Sequence, residues 1–176
     1  MSAHVVTRPA EPQDCAEIRA LHARAFGPGR FARTAYRVRE GTDDLSPYCR
    51  VCRIDGRLVA AVRFTAVLIG GRGGALLLGP LAVDPDFANR GHGRGLVGEA
   101  LAAARAAGIR LVALVGDEPY YARLGFRRVP RGQIVLPGPV DADRLLAVEL
   151  AAGALGEFSG MLAADPGALR KRAPAA

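Results

Sequence analysis

The run Arg90-Gly91-His92-Gly93-Arg94-Gly95-Leu96-Val97-Gly98 decides how this chain is read. It follows an apolar, strand-like segment, Leu76 to Val83, and opens a helical one, Leu96 to Ala107. Glycines at the mouth of a helix leave backbone N–H groups uncovered by side chains, at the positive end of the helix dipole. Such a mouth binds phosphate. Two phosphate-binding spacings overlap here: Arg90-x-x-Gly93-x-Gly95, and Gly93-x-Gly95-x-x-Gly98 with Asp117 nineteen residues further on. The run alone does not choose between them.

Its surroundings do. Val5 to Arg8 reads as a first strand, broken by Pro9 and Pro12. A helix follows to about Phe26, with Asp14 and Glu17 as a capping box and Cys15, Ile18, Leu21 and Ala25 on one face. Gly27-Pro28-Gly29 ends it, and Arg30 to Glu40 is expected to form a second, weakly amphipathic helix. Tyr48 to Ile54 and Leu58 to Ile69 flank Asp55-Gly56, the dipeptide favoured where a two-residue hairpin turn needs positive φ. In the second of these strands Arg63 and Thr65 mark one face, so the opposite face is expected to be buried more deeply. Ala75 to Val83 returns antiparallel after the Gly70 to Gly74 turn. Leu111 to Val115 suits a strand buried on both faces. A short helix, Pro119 to Leu124, stops at Gly125, and strands follow at Phe126 to Val129 and Leu145 to Leu150.

A dinucleotide fingerprint starts within a residue or two of its strand, in a unit that opens a parallel sheet. Here Asp84 to Arg90 intervene between Val83 and Gly91, and antiparallel hairpins precede the strand. That argues against a nicotinamide-dependent oxidoreductase, which stays open as an alternative on the strength of Asp117.

Leu81-Ala82-Val83, then Arg90 to Gly95, then Tyr121-Ala-Arg-Leu-Gly125-Phe126 resembles, in order and spacing, the GNAT superfamily of acetyl-CoA-dependent N-acetyltransferases. Gly79-Pro-Leu-Ala-Val-Asp-Pro, Gly116-Asp117, Tyr120-Tyr121 and Leu145 to Gly160 are similar to a bacterial subgroup of predicted N-acetyltransferases. The resemblance implies an α/β chain of the α+β type: a mixed, mostly antiparallel central sheet of about seven strands flanked by helices, splayed between strands four and five. The domain is expected over residues 1–163, and the tail from Ala164 to Ala176, with Pro166, Lys171 and Pro174 and little to bury, is expected to be loosely ordered. Asn89 stands where similar proteins often carry Gly, and it tolerates left-handed backbone. Gly116-Asp117 stands where the family often has Asn near the end of the fifth strand.

By that resemblance acetyl-CoA is the cosubstrate. Leu81, Ala82 and Val83 would pair with its pantetheine like an added strand, and N–H groups across Gly91, His92, Gly93, Arg94 and Gly95 would hold its pyrophosphate. Arg90 and Arg94 would add charge. Pro80, which lacks an N–H, fits a fourth strand that parts from the fifth. Tyr121 is the expected general acid. A phenol of pKa about 10 donating fully to a thiolate of about 8.5 works uphill by roughly 2 kcal/mol, so hydrogen-bond stabilisation is its expected role. Tyr120 is expected to be structural or to face the substrate. The base stays open among Asp43, Asp44, Asp84, Asp86, Asp117 and Glu118. His92 is expected to face solvent. The acceptor is an amine, on a small molecule or a protein, with the pocket around Phe26 to Ser46 and Arg131 to Arg144. An acyl-CoA-binding sensor is the alternative from another class, and a homodimer rests on family analogy.

Composition bounds the rest. At 176 residues, 50% of them apolar, one domain is expected, and no apolar run approaches the about eighteen residues that suggest a membrane span. The N-terminus shows no secretory signal pattern, so a cytoplasmic location is expected. All but one of the 24 basic residues are Arg, set against 17 acidic ones. They are scattered among few aromatics, which argues against nucleic acid and for attraction of a phosphorylated cofactor. Cys49 and Cys52, at strand spacing, should point to opposite faces rather than form a metal or redox site, and no metal is expected.

Overall fold

The computed structural model describes residues 3–28 and 34–170. Nine strands form the sheet: β1 Val5–Pro9, β2 Arg50–Ile54, β3 Arg57–Ile69, β4 Arg72–Val83, β5 Leu111–Val115, β6 Arg127–Arg128, β7 Ile134–Val135, β8 Leu145–Glu149 and β9 Gly160–Ala164. The helices are α1 Cys15–Phe26, α2 Thr34–Arg39, α3 His92–Ala106, α4 Glu118–Tyr121 and α5 Gly167–Arg170. Strand order is β1-β2-β3-β4-β5-β8-β6, with β9 joining β3 and β7. All pairs are antiparallel except β4 with β5 and β7 with β9. The mixed, mostly antiparallel sheet matches the expectation, and the two strands beyond the expected seven are β7 and β9. Ala164 closes β9, and Asp165 donates its N–H to Ala66 O. Of the expected second helix, Thr34–Arg39 is formed, and residues 30–33 lie outside the described chain.

The turns follow the backbone each residue tolerates. Asp55 and Gly56 have φ of 48° and 84°, the left-handed pair that a tight hairpin demands. The capping box sits three residues earlier than expected: Glu11 and Asp14 bond reciprocally ahead of α1, because Pro12 begins a 3₁₀ turn that feeds it. β3 is buried to a similar depth on both faces, where the face opposite Arg63 and Thr65 was expected to be the deeper. It runs between α3, over Phe64 and Val62, and α1, over Leu58 and Ala61, and slips register twice along its length. Cys49 and Cys52 do part company. Cys49 approaches Ser46 and Phe64 O beside α1, while Cys52 packs in the α3 core.

α3 buries Leu96, Val97, Ala100, Leu101 and Ala104 against this sheet. Each large side chain among them contributes about 1.5–3 kcal/mol relative to exposure. β4 and β5 pair only over Ala75–Leu111, Leu76–Val112 and Leu77–Ala113. Beyond Leu77, three steps of β4 (Leu78 to Leu81) match two of β3 (Phe64 to Val62), a bulge at Gly79 and Pro80. β5 meanwhile continues beside β8 to Val115. A gap therefore opens between β4 and β5, and from Leu78 onward one edge of β4 faces no strand among the described residues.

Candidate active site

The glycine run builds one wall of this gap. Asp84, 3% exposed, caps a 3₁₀ turn at Pro85–Phe87 through Asp86 N–H. Asn89 and Gly91 then adopt φ of 60° and 86°, and α3 starts at His92, four residues before the expected Leu96. Asn89 thus accepts the left-handed backbone expected of it. Gly95 N–H bonds Gly91 O at 2.9 Å and is committed to the helix. The donors of the first turn are therefore the N–H groups of His92, Gly93 and Arg94, not the whole run to Gly95. His92 is half-buried, with Nδ1 3.9 Å from Cys52 Sγ, and does not face solvent as expected.

These residues line a cavity of about 490 Å³ with Val83, Tyr120 and Arg123. Arg90, Arg94 and Arg123 all border it, no carboxylate does, and none of the three joins an ion pair among the described residues. The Arg90 guanidinium lies 5.3 Å from the Phe87 ring centroid, with Arg57 at 5.2 Å from the same centroid. Gly93 sits in close approach: a Cβ there would be 2.8 Å from Tyr120 Oη and 3.2 Å from Val83 Cγ2, so the Tyr120 ring would have to shift. This small-residue mouth with unpaired cations fits a pyrophosphate.

A second cavity, about 510 Å³, lies at the other end of the gap and is lined by Leu78 to Leu81, Val115 to Asp117, Tyr121, α2 residues, and Pro139 to Asp141 with Arg144. The lining also includes Phe26, so it draws on both stretches expected to form an acceptor pocket. Tyr121 stands edge-on to Phe126 at 5.7 Å and to Tyr120 at 4.9 Å. Gly116 leaves room for it, since a Cβ there would meet the Tyr121 ring at 2.7 Å. Burial first, then Tyr120 and the charge of Asp117, push the Tyr121 phenol well above its ordinary value. Burial likewise raises Tyr120, against the opposing charge of Arg94.

The two cavities bring together Leu81, Val83, Arg90 to Arg94 and Tyr121. The Ala82 side chain is instead buried against α1 with Leu21 and Val51, which leaves only its backbone for the open edge. Of the six carboxylates considered, Asp117 alone lines the Tyr121 cavity, where it meets Arg144 at 3.2 Å. Asp84 is held by Arg57 at 2.7 Å, Asp86 by Arg57 at 3.4 Å, and Glu118 by Arg128 at 2.6 Å. Burial would raise Asp84, but the bonds from Arg57 and Asp86 N–H hold it below the usual carboxylate range. Asp117 is not on the cavity of the glycine run, and Gly95 and Gly98 are plain helical positions, so the dinucleotide spacing lacks its ribose carboxylate. Arg123 went unrecognised as a lining residue, although it lies inside the Tyr121 to Phe126 motif, and Arg39 was covered only as part of the Phe26 to Ser46 stretch.

This architecture of parted parallel strands, glycine-mouthed helix and half-buried tyrosine is that of an acetyltransferase. The model of the acetyltransferase (GNAT) family matches residues 15–126, and the chain belongs to that family. It is 29% identical over 119 residues to the uncharacterized N-acetyltransferase YjhQ of Escherichia coli K12, a match that spans 66% of each chain, just under two thirds of that relative's length. Among solved structures, the GNAT family N-acetyltransferase YhbS of Escherichia coli, in complex with CoA, superposes with a TM-score of 0.79 at 26% identity, covering 98% of this chain and 96% of that one. A GNAT family acetyltransferase of Brucella melitensis in complex with acetyl-CoA gives 0.61 at 31% identity, covering 86% and 97%. Among the described residues no helix is long and apolar enough to cross a membrane.

Proposed function

We propose that this protein transfers an acetyl group from acetyl-CoA directly to a primary amine. The observation that carries the reading is the gap beyond Leu77, bordered by an anion-seeking mouth at one end and by Tyr121 at the other. Acetyl-CoA supplies an activated acyl group whose C–S bond breaks as the acceptor nitrogen forms the amide. The unpaired edge of β4 at Leu81 to Val83 offers backbone groups to the pantetheine, in the manner of strand addition. The N–H groups of His92, Gly93 and Arg94, with Arg90, Arg94 and Arg123 around them, hold the pyrophosphate.

Tyr121 donates a hydrogen bond to the departing sulfur. Its raised pKa makes complete proton transfer steeper than for a free phenol and keeps the donor protonated at all neutral pH values. A lysine-like amine of pKa about 10.4 is neutral in only about one molecule in two thousand at pH 7, so a base must take its proton. Asp117, which lines the same cavity as Tyr121, would take that proton, directly or through a water.

The test is calorimetric titration with acetyl-CoA, with NADH and NADPH in parallel, followed by a screen of amine acceptors that detects free CoA thiol. Acetyl-CoA binding and thiol release on an amine support the reading. Binding of a nicotinamide nucleotide alone refutes it. Acetyl-CoA binding with no thiol release on any amine would make the protein a sensor.

A further inference from the structure

Arg39, at the end of α2, is a cation without a counterion. It is 5% exposed, its Nε is buried with no hydrogen-bond partner, and no carboxylate among the described residues pairs with it. Its Nη2 lies 3.1 Å from where a Cβ on Gly79 would stand, at the bulge where β4 leaves β5, and the side chain lines the Tyr121 cavity. Of the other charges on that lining, Arg144 pairs with Asp117, and Asp141 accepts a hydrogen bond from Asp143 N–H. The Tyr36 ring lies 5.6 Å from the Arg39 Cζ, and the charge of Arg63, itself 3.8 Å from Asp44, acts on that guanidinium. Burial first, and then Arg63, lower the Arg39 pKa to about 9, which leaves it charged at neutral pH.

Burying a guanidinium without a partner is strongly unfavourable, and among the described residues no carboxylate repays it here. A planar fork of N–H donors at the wall of a cavity matches an oxyanion, carboxylate above all. We propose that the acceptor is a small amine that also carries a carboxylate, which Arg39 binds while the amine is presented near Tyr121. This rests on the acetyltransferase reading and narrows its substrate class. It also sets the acceptor apart from a lysine side chain within a protein, which brings no carboxylate of its own.

The experiment uses matched pairs of primary amines, the common amino acids and straight-chain ω-amino acids, each against its carboxamide. Saturable binding is measured by calorimetry without acetyl-CoA, on the wild type, Arg39→Met and Arg39→Lys, with acetyl-CoA affinity and melting temperature recorded for each. In the wild type at least one carboxylate is expected to outbind its carboxamide by about tenfold or more, a preference falling to about twofold or less in Arg39→Met and partly kept in Arg39→Lys. Arg39→Met removes an unpaired buried charge, so it should melt no lower than the wild type. The proposal is overturned if no carboxylate outbinds its carboxamide, or if Arg39→Met keeps the preference. A lower melting temperature with equal losses for both members of a pair also overturns it, as a purely structural role. Intact preference with no acetyl-CoA binding sinks the acetyltransferase reading and leaves the anion site standing.

Discussion

Charge is settled differently in two regions of this molecule. Beside β1, Asp14 is fully buried and receives Arg8 at 2.7 and 2.9 Å, Arg53 at 2.9 Å and Glu11 N–H at 2.9 Å. At the mouth of α3, Arg90, Arg94 and Arg123 border a cavity that contains no carboxylate. The first cluster is complete within the chain and serves the fold. The second is incomplete, and under the proposed function a ligand completes it. In a chain with 24 basic residues, the number of arginines says little about function, whereas the partner each one lacks says a good deal.

The contrast is tested most severely at Tyr121, which belongs to the unfinished region but carries no charge. Tyr121→Phe should lower kcat by about 100-fold or more while leaving acetyl-CoA affinity within about twofold, as calorimetry and thiol release would show. An equal loss of affinity would mean that the ring holds the cofactor rather than the leaving group.

The finished region should respond in stability alone. Asp14→Ala leaves two arginines facing a buried hole and should cost about 2 kcal/mol in denaturant unfolding, with acetyl-CoA affinity unchanged in the folded fraction. Burial opposes ionisation of Asp14, but hydrogen bonds from Arg8, Arg53 and Glu11 N–H win and hold its pKa far below the usual carboxylate range. Its folded pKa is depressed, so its contribution is present above the unfolded value of about 3.9 and is lost as pH falls below that toward the folded value. Chemical denaturation between pH 6 and 3 should therefore show a steeper acid decline in the wild type than in the variant.

Smaller effects are expected at the mouth. Arg94→Gln should weaken acetyl-CoA binding by about tenfold, more at low salt than at high, with no change in melting temperature. A matching loss of stability would show that Arg94 is a finished charge after all. The smallest effect belongs to the pH profile: with Tyr121 raised by burial, kcat should show no alkaline decline from its deprotonation up to about pH 10.

Where local chemistry dictates backbone, the sequence was readable. Asp55-Gly56 and Asn89 to Gly91 each had to supply positive φ, and the apolar run of β5 had to be covered on both sides. The early start of α3 escaped notice because glycines are poor helix formers, and only packing keeps them helical. Gly93 is buried beneath Tyr120, Val83 and Leu81, a tertiary fact that no local pattern states. That shift also explains His92, whose place in the first turn brings its ring to β2 instead of leaving it on a loop. β7 holds only two residues, paired with β9, so its existence depends on a partner far along the chain. Arg39 carried no local signal among so many arginines, and its meaning appeared only once its neighbours were known.

The three rungs that join β4 to β5 have one more consequence. They leave one cavity by the start of α3 and another by α2, and under the proposed function both substrates would be held at once. Steady-state rates measured against both substrates should then give intersecting, not parallel, double-reciprocal lines. A molecule that stops zipping two of its strands after three rungs would, in kinetic language, take its two substrates in either order.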